Sequence, residues 1–311
     1  MPLLQDDQGA RLHSNRRNSL QDMRRLAVLA ALLLQVATGI ADSVRVTTWN
    51  MQWFPSGSAK LATPEKEAEN IASAAKVIRQ INPDVLVIQE IRDLKTCKRL
   101  AEACLPLNLE VLVCSAFKEG FGESPGQQQV AILSKSSADG AWAEKWKTVG
   151  VVDPPRGFAF AVIPFEKAQI AVYSVHLKSN LVKGNSDREN QLNILKRELA
   201  AEQVVSHSTA MLKDYSRLSG FIAAGDFNTN RDQDLFVSEK TLQTFKEAGY
   251  LDWSAALPRK ERVTHPGSGK YPDATFDYIF SKGLKQKGAT EILHTKVSDH
   301  RPVTCEFELP E

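Results

Sequence analysis

The sequence predicts an α/β fold, and three observations carry that prediction. Short apolar or alternating runs recur at 44–50, 84–90, 169–179, 221–228, 275–281 and 301–309, each the length of a buried or half-buried strand. Helical patterns with capping residues fall between several of them, at 63–80, 186–203 and 238–250. Strands from distant parts of the chain each end in a polar residue of the kind that binds cations or moves protons: Asn50, Glu90, His176, Asp226 with Asn228, and His300.

Taken in order, "VRVTTWN" alternates Val44, Val46, Thr48 and Asn50, so the inward face of this strand ends at Asn50. At 63–80 Thr63 is the N-cap and Pro64 the first helical residue, with Ile71, Ala74, Ala75 and Ile78 on one face. Asn82-Pro83 ends that helix. "DVLVIQE" is a continuous apolar strand ending at Glu90, and "QIAVYSVHLKS" is another ending near His176. Ser186-x-x-Glu189 is a capping box that opens the helix at 186–203. "FIAAGDFN" is a strand ending at Asp226 and Asn228, which as i and i+2 residues share a face. A short helix closes near Gly249, and "TFDYIFS" and "RPVTCEFEL" are the last strands.

Bulk properties narrow the classes. At 311 residues and 42% hydrophobic content the chain buries a full core; no repeat or long Pro/Ser/Gly tract divides it, so 42–311 reads as a single domain. Residues 1–41 read as an N-terminal extension and secretory signal, with two arginines, an apolar stretch and then Gly39 and Ala41; Met23 is an alternative start. The apolar stretch Leu26–Ile40 has 15 residues and includes Gln35 and Thr38, short of the ~20 that span a bilayer. The expectation is a periplasmic or secreted monomer with no membrane anchor after cleavage. Removing 1–41 takes five of the 39 Lys/Arg and three of the 37 Asp/Glu, leaving 34 of each. The remaining chain is neutral, so a polyanion would be held by a local patch or a metal. Cys97, Cys104, Cys114 and Cys305 lack zinc-site spacing and leave either disulfides or buried thiols open.

Each polar strand end has a structural reading when taken alone. Asp226-x-Asn228 makes an Asx-turn, Glu90 is solvated, Asn50 caps a turn, His176 is a satisfied core imidazole, and Asp299-His300 is a turn before Pro302. Five such coincidences at separate strand ends argue jointly for a site.

"TTWNMQWF", "VIQEI", "YSVHLKS", "AAGDFNTN", "TFDYIF" and "VSDHRPV" together resemble the endonuclease/exonuclease/phosphatase superfamily in order and approximate spacing, over about 44–308. G-D-F-N followed far downstream by S-D-H-x-P-V is the most specific part. The resemblance implies a four-layer α/β sandwich, with two packed mixed sheets flanked by helices, and a divalent-metal phosphoesterase. It also implies that Asp277 holds the His300 imidazole in one tautomer. Gln127–Gln129 stand where relatives place an Arg or Tyr that reaches the phosphate.

Phosphodiester hydrolysis needs charge neutralisation, an activated water and a stabilised leaving oxygen. Glu90 is the hard-oxygen ligand for Mg²⁺ or Mn²⁺, with Asn50 and Asp299 as further metal candidates. Asp226 or His300 is the base, while Asn228 and His176 donate to phosphate oxygens. Lys178 and Asn180 are candidate substrate contacts, and the loop at 258–274 adds Arg259, Lys260, Arg262, His265 and Tyr271. The expected function is an exported nuclease cutting DNA or RNA. A phospholipid or small phosphate-ester hydrolase on the same fold is the first alternative, and a non-catalytic binding module is the second.

Overall fold

Period-two alternation along the strands generates the layers. The computed structural model describes residues 43–309 apart from 119–124, 166–167, 183–185 and 270, so the expected signal segment lies outside the described residues. Among them, two six-stranded sheets form. The first runs β11 (Lys285–Ile292), β12 (Val303–Glu308), β1 (Ser43–Phe54), β2 (Val85–Ile91), β4 (Gln129–Ser134), β3 (Glu110–Cys114). The second runs β5 (Gly140–Lys145), β6 (Gly157–Pro164), β7 (Gln169–His176), β8 (Leu218–Asp226), β10 (Asp277–Lys282), β9 (Leu251–Asp252). Both are mixed, because β1–β2 and β7–β8 pair parallel and the other neighbours antiparallel.

Three apolar clusters separate four layers. Val44, Val46, Val85, Val87, Ile170, Val172, Ile222 and Ile279 meet between the sheets. Trp49, Leu86, Ile88 and Leu133 leave the other face of the first sheet to pack on helices α1 (Pro64–Ile81) and α2 (Leu94–Ala103). Phe160, Tyr173, Phe221 and Phe280 do the same on the second sheet against α3 (Asp187–Asp214) and α4 (Thr241–Glu247). This is the four-layer sandwich that the resemblance implies.

Helix signals behave as their chemistry predicts. The Thr63 side chain accepts from the Lys66 amide, Pro64 opens α1, and Asn82 closes it at φ 53 with its N–H on the Ile78 carbonyl. The Ser186 hydroxyl accepts from the Glu189 amide at the start of α3. That helix runs to Asp214 rather than 203, because Val204, Ser208 and Met211 continue its buried stripe and no Gly or Pro interrupts it. Helix α2, capped by Asp93, and strands β3, β4, β5, β6, β9 and β11 add to the elements read from sequence. Among the described residues no helix is long and apolar enough to cross a membrane.

Candidate active site

Alternation delivers a cluster of polar side chains to one end of the inter-sheet space. On β1, Val44 and Val46 enter that space while Trp49 and Met51 face the helices, so Asn50 falls on the inter-sheet side. His176 follows Ile170 and Val172 on β7, and Asp226 follows Ile222 and Ala224 on β8. Asp277 precedes Ile279 by two on β10. The ladder register then sets Asp226 directly between His176 and Asp277. His300 comes from the loop before β12. Ser298 Oγ donates to the Asn50 carbonyl (2.8 Å), the His300 amide donates to Ser298 Oγ (3.1 Å), and Trp49 Nε1 donates to the His300 carbonyl (3.0 Å).

Two backbone irregularities complete the cluster. Leu86 and Ile88 face the helices, and strict alternation would send Glu90 after them. Glu90 instead adopts φ 59, the β2–β4 register shifts between Gln89 and Ile91, and Ile91 takes the helix-side position. The carboxylate thereby turns toward Asn50. On β8, Gly225 adopts φ +151, where an added Cβ would lie 1.9 Å from the Val175 carbonyl oxygen, so only glycine lets β7 and β8 close beside Asp226.

The shared-face reading of Asp226 and Asn228 needs correction. The strand ends at Asp226 and Asn228 has φ 51, so the i, i+2 rule does not apply there. Asp226 Oδ1 accepts from the Asn228 amide (2.9 Å), which is an Asx-turn, and Asn228 Nδ2 donates to the Leu177 carbonyl (3.3 Å). The turn and the site coexist, because the other oxygen of Asp226 faces the cluster.

Asn50 Nδ2 donates to that oxygen, Asp226 Oδ2 (2.9 Å), and to Glu90 Oε1 (3.2 Å). Its own Oδ1 accepts from the Gln52 amide (3.0 Å), so the amide clamps the two carboxylates through its nitrogen. Glu90 Oε2 accepts from the Trp53 amide (2.9 Å). His176 Nε2 lies 3.7 Å from Glu90 Oε1 and 3.6 Å from Asp226 Oδ2, and its buried Nδ1 has no partner among the described residues. His300 Nδ1 meets Asp277 Oδ2 at 2.7 Å, leaving Nε2 3.9 Å from Asp226 Oδ2. Beneath the cluster, Thr48, Gln89 and Ser174 form a buried polar layer spanning both sheets, with Gln89 Nε2 donating to Ser174 Oγ (3.2 Å).

Burial and charge then set the protonation states. Burial pushes the Asp226 carboxyl well above the usual carboxylate range, aided by Asp277 and opposed by His300 and the Asn50 amide. Burial pulls His300 down, but Asp277 and Asp226 outweigh it and hold the imidazole up at about 10. His176 goes the other way, lowered by burial and by the nearby Arg156, so it is neutral at pH 7.

The cluster floors a cavity of about 680 Å³ that is also lined by Gln52, Trp53, Arg156, Lys178, His265 and Tyr271. The profile of the endonuclease/exonuclease/phosphatase family matches residues 47–300, from β1 through His300, with every site residue named above inside it. The chain belongs to the endonuclease/exonuclease/phosphatase family. A family protein from Leptotrichia buccalis C-1013-b is similar at 18% identity and TM-score 0.58, covering 86% of this chain and 100% of that one. A truncated Caenorhabditis elegans TDP2 is similar at 16% identity and TM-score 0.56, covering 86% and 98%. A D. rerio TDP2 complexed with a single-strand DNA product is similar at 14% identity and TM-score 0.58, covering 86% and 99%. No curated protein sequence matches the chain.

The other predicted positions lie around this cluster to different degrees. Lys178 and Asn180 line the cavity, and Lys178 is lowered by burial and by Arg156. Asp299 also lines it, but is half-exposed, with Oδ2 4.0 Å from His265 Nε2 and outside the Asp226–Asp277–His300 cluster. Arg262 is drawn away into an ion pair with Asp232 (2.5 Å). Gln129 is consumed by the fold, bonding Ser115, Phe117 and Gly126.

Sequence reasoning missed Arg156. It has φ 68 just before β6 and donates to the His176 (3.1 Å) and Leu177 (3.1 Å) carbonyls at the cavity wall. Its signal was Pro-Pro-Arg-Gly before the apolar run "GFAFAVIP", the opening of an unread strand.

Proposed function

We propose that the protein is a divalent-metal-dependent phosphodiesterase whose substrate is a nucleic acid. The observation that carries this is the pairing, on one cavity floor, of the Asn50-clamped Glu90 and Asp226 carboxylates with the Asp277–His300 dyad. It combines a cation-attracting half with a proton-handling half, the two requirements of phosphodiester hydrolysis. Structural similarity to a TDP2 bound to a single-strand DNA product supports a nucleic acid.

The donors suit a small hard cation. Glu90 and Asp226 are buried carboxylates converging on one amide nitrogen, beside a His176 ring whose Nδ1 is unpartnered among the described residues. Asp226, Asp277 and His300 also approach within 4.8 Å of one another, but Asp277 and His300 are already bonded to each other, which favours the Glu90 side. Glu90 and Asp226 would hold Mg²⁺ or Mn²⁺ there, and the cation would supply neutralisation of phosphate charge and polarisation of the ester.

The residues themselves divide the remaining work. Asp277 fixes the His300 ring through Nδ1, so Nε2 faces the cavity and, protonated, donates to a phosphate or leaving oxygen. Asp226, raised by burial, takes the proton of the attacking water. Asn228 and neutral His176 border the phosphate, and Arg156 and Lys178 give the wall positive charge. Leu181, Leu235 and Tyr271 are exposed on the cavity lining. That apolar rim favours a second reading, a phospholipid head group. A panel of plasmid, single-stranded DNA, RNA, phospholipid and a generic bis-ester, each with Mg²⁺, Mn²⁺ or chelator, separates the two. Faster turnover of lipid than of any nucleic acid overturns the first reading.

For residues 1–41 we propose removal on export. A mature N-terminus at Asp42 in secreted or periplasmic material tests this, and a retained N-terminus contradicts it.

A further inference from the structure

We propose that Cys97 and Cys114 form a disulfide that ties helix α2 to the edge strand β3. The two residues bracket a helix, a short connection and a strand, and the fold returns the strand against the helix. Cys97 lies in the first turn of α2 and is fully buried in the layer between the first sheet and its helices. Cys114 ends β3, is partly exposed, and packs against that same layer. Helix α2 packs on β3, and the Cys114 thiol is the largest influence raising the Cys97 thiol, ahead of burial. Both are free thiols in the structure.

The other two cysteines are placed elsewhere. Cys104 caps the far end of α2, and seven residues of helical rise separate it from Cys97 by ~10 Å. Cys305 lies on β12, on the inter-sheet side, where its thiol bonds Thr290 Oγ1 (3.3 Å). Strands β1, β2 and β4 stand between β12 and β3, a separation of ~19 Å at ordinary strand spacing. This placement favours Cys97 with Cys114 among the pairings the sequence left open.

The exposures give the order of events. The Cys114 thiolate attacks a small-molecule disulfide such as glutathione disulfide, breaking its S–S bond and releasing one thiolate. Cys97 then attacks the Cys114 sulfur and expels the second small thiolate, which takes up the Cys97 proton. Two protein thiols are oxidised to one disulfide, and one glutathione disulfide is reduced to two thiols. The bond would anchor β3, the last strand of its sheet among the described residues. It lies on the helix side of the first sheet, away from the cavity between the sheets.

The test uses the full chain, purified reduced and then incubated folded with glutathione disulfide at pH 8. Thiols are counted after unfolding, and the non-reduced peptides are mapped by mass spectrometry. The expected result is loss of two of the four thiols, a Cys97–Cys114 crosslinked peptide, and a melting temperature higher by about 5–10 °C. Cys114→Ser should retain all three remaining thiols, and the double variant Cys104→Ser, Cys305→Ser should still crosslink. Four thiols surviving oxidation, a crosslink through Cys104 or Cys305, or a crosslinked protein that melts no higher would each overturn the proposal.

Discussion

Asp226 divides its two oxygens between a turn and a site. Oδ1 holds the Asn228 amide and Oδ2 faces Asn50, His176 and His300. Asp226→Asn keeps an oxygen for the turn but cannot take a proton, so turnover should fall ~10²-fold or more with the melting temperature nearly unchanged. Asn228→Ala should lower both, because the φ 51 position favours Asn and the bond to the Leu177 carbonyl is lost. Initial rate and melting temperature on the same purified variants check this, and wild-type specific activity of Asp226→Asn would remove it from the chemistry. His300 supplies the pH prediction. Its folded pKa, about 10, exceeds the unfolded value of ~6.5. Its stabilising contribution is therefore complete below ~6.5 and lost as pH rises through about 10. In chelator, the stability advantage of wild type over His300→Gln should shrink between pH 6 and pH 10, read by urea unfolding at both ends. A constant gap would contradict the imidazolium. At this scale the sequence was informative about which residues gather: Asn50, Glu90, His176, Asp226 and His300 stood out as polar ends of apolar runs, and the fold brings them to one cluster. It was silent on Asn50 turning its nitrogen toward the two carboxylates, because that orientation depends on the Gln52 amide across a turn.

At the scale of elements, glycine and left-handed residues adjust what alternation alone would misplace. Gly225→Ala should destabilise the fold by ~3 kcal/mol or more, since the added methyl meets the Val175 backbone oxygen rather than a movable side chain. Urea unfolding measures it, and a loss below about 1 kcal/mol would mean that β7 and β8 separate easily. The strands and helices with strong periodicity were legible: β1, β2, β7, β8 and α1 sit where pattern and caps put them, and α3 starts where its cap does. Helix α3 outran its reading because a long amphipathic stripe carries no stop signal of its own. Strand β11, "KQKGATEI", was not legible because it is a largely exposed edge whose pairing with β12, not its composition, makes it a strand. The inward turn of Glu90 was equally hidden, since a bulge is set by two neighbouring ladders.

Across the whole molecule, the site exists because two sheets bring their polar strand ends to one rim above a shared apolar core. Glu90 and Asn50 come from the first sheet, and His176, Asp226 and Asp277 from the second. The resemblance made the fold of this assembly readable from sequence, and the cavity wall was read only in part: Lys178, Asn180, His265 and Tyr271 were candidates, whereas Arg156 has no pattern that marks it and joins them only in three dimensions. The central claim is that the Glu90 half of the site holds a divalent cation required for phosphodiester hydrolysis. The direct measurement is the rate on a generic phosphodiester for wild type and Glu90→Gln, in chelator and across a Mg²⁺ titration. The account predicts no wild-type activity in chelator, recovery with Mg²⁺, and for Glu90→Gln a turnover reduced ~10²-fold or more with a weaker apparent Mg²⁺ affinity. Wild-type turnover in chelator, or an unaltered Mg²⁺ dependence in Glu90→Gln, would contradict it.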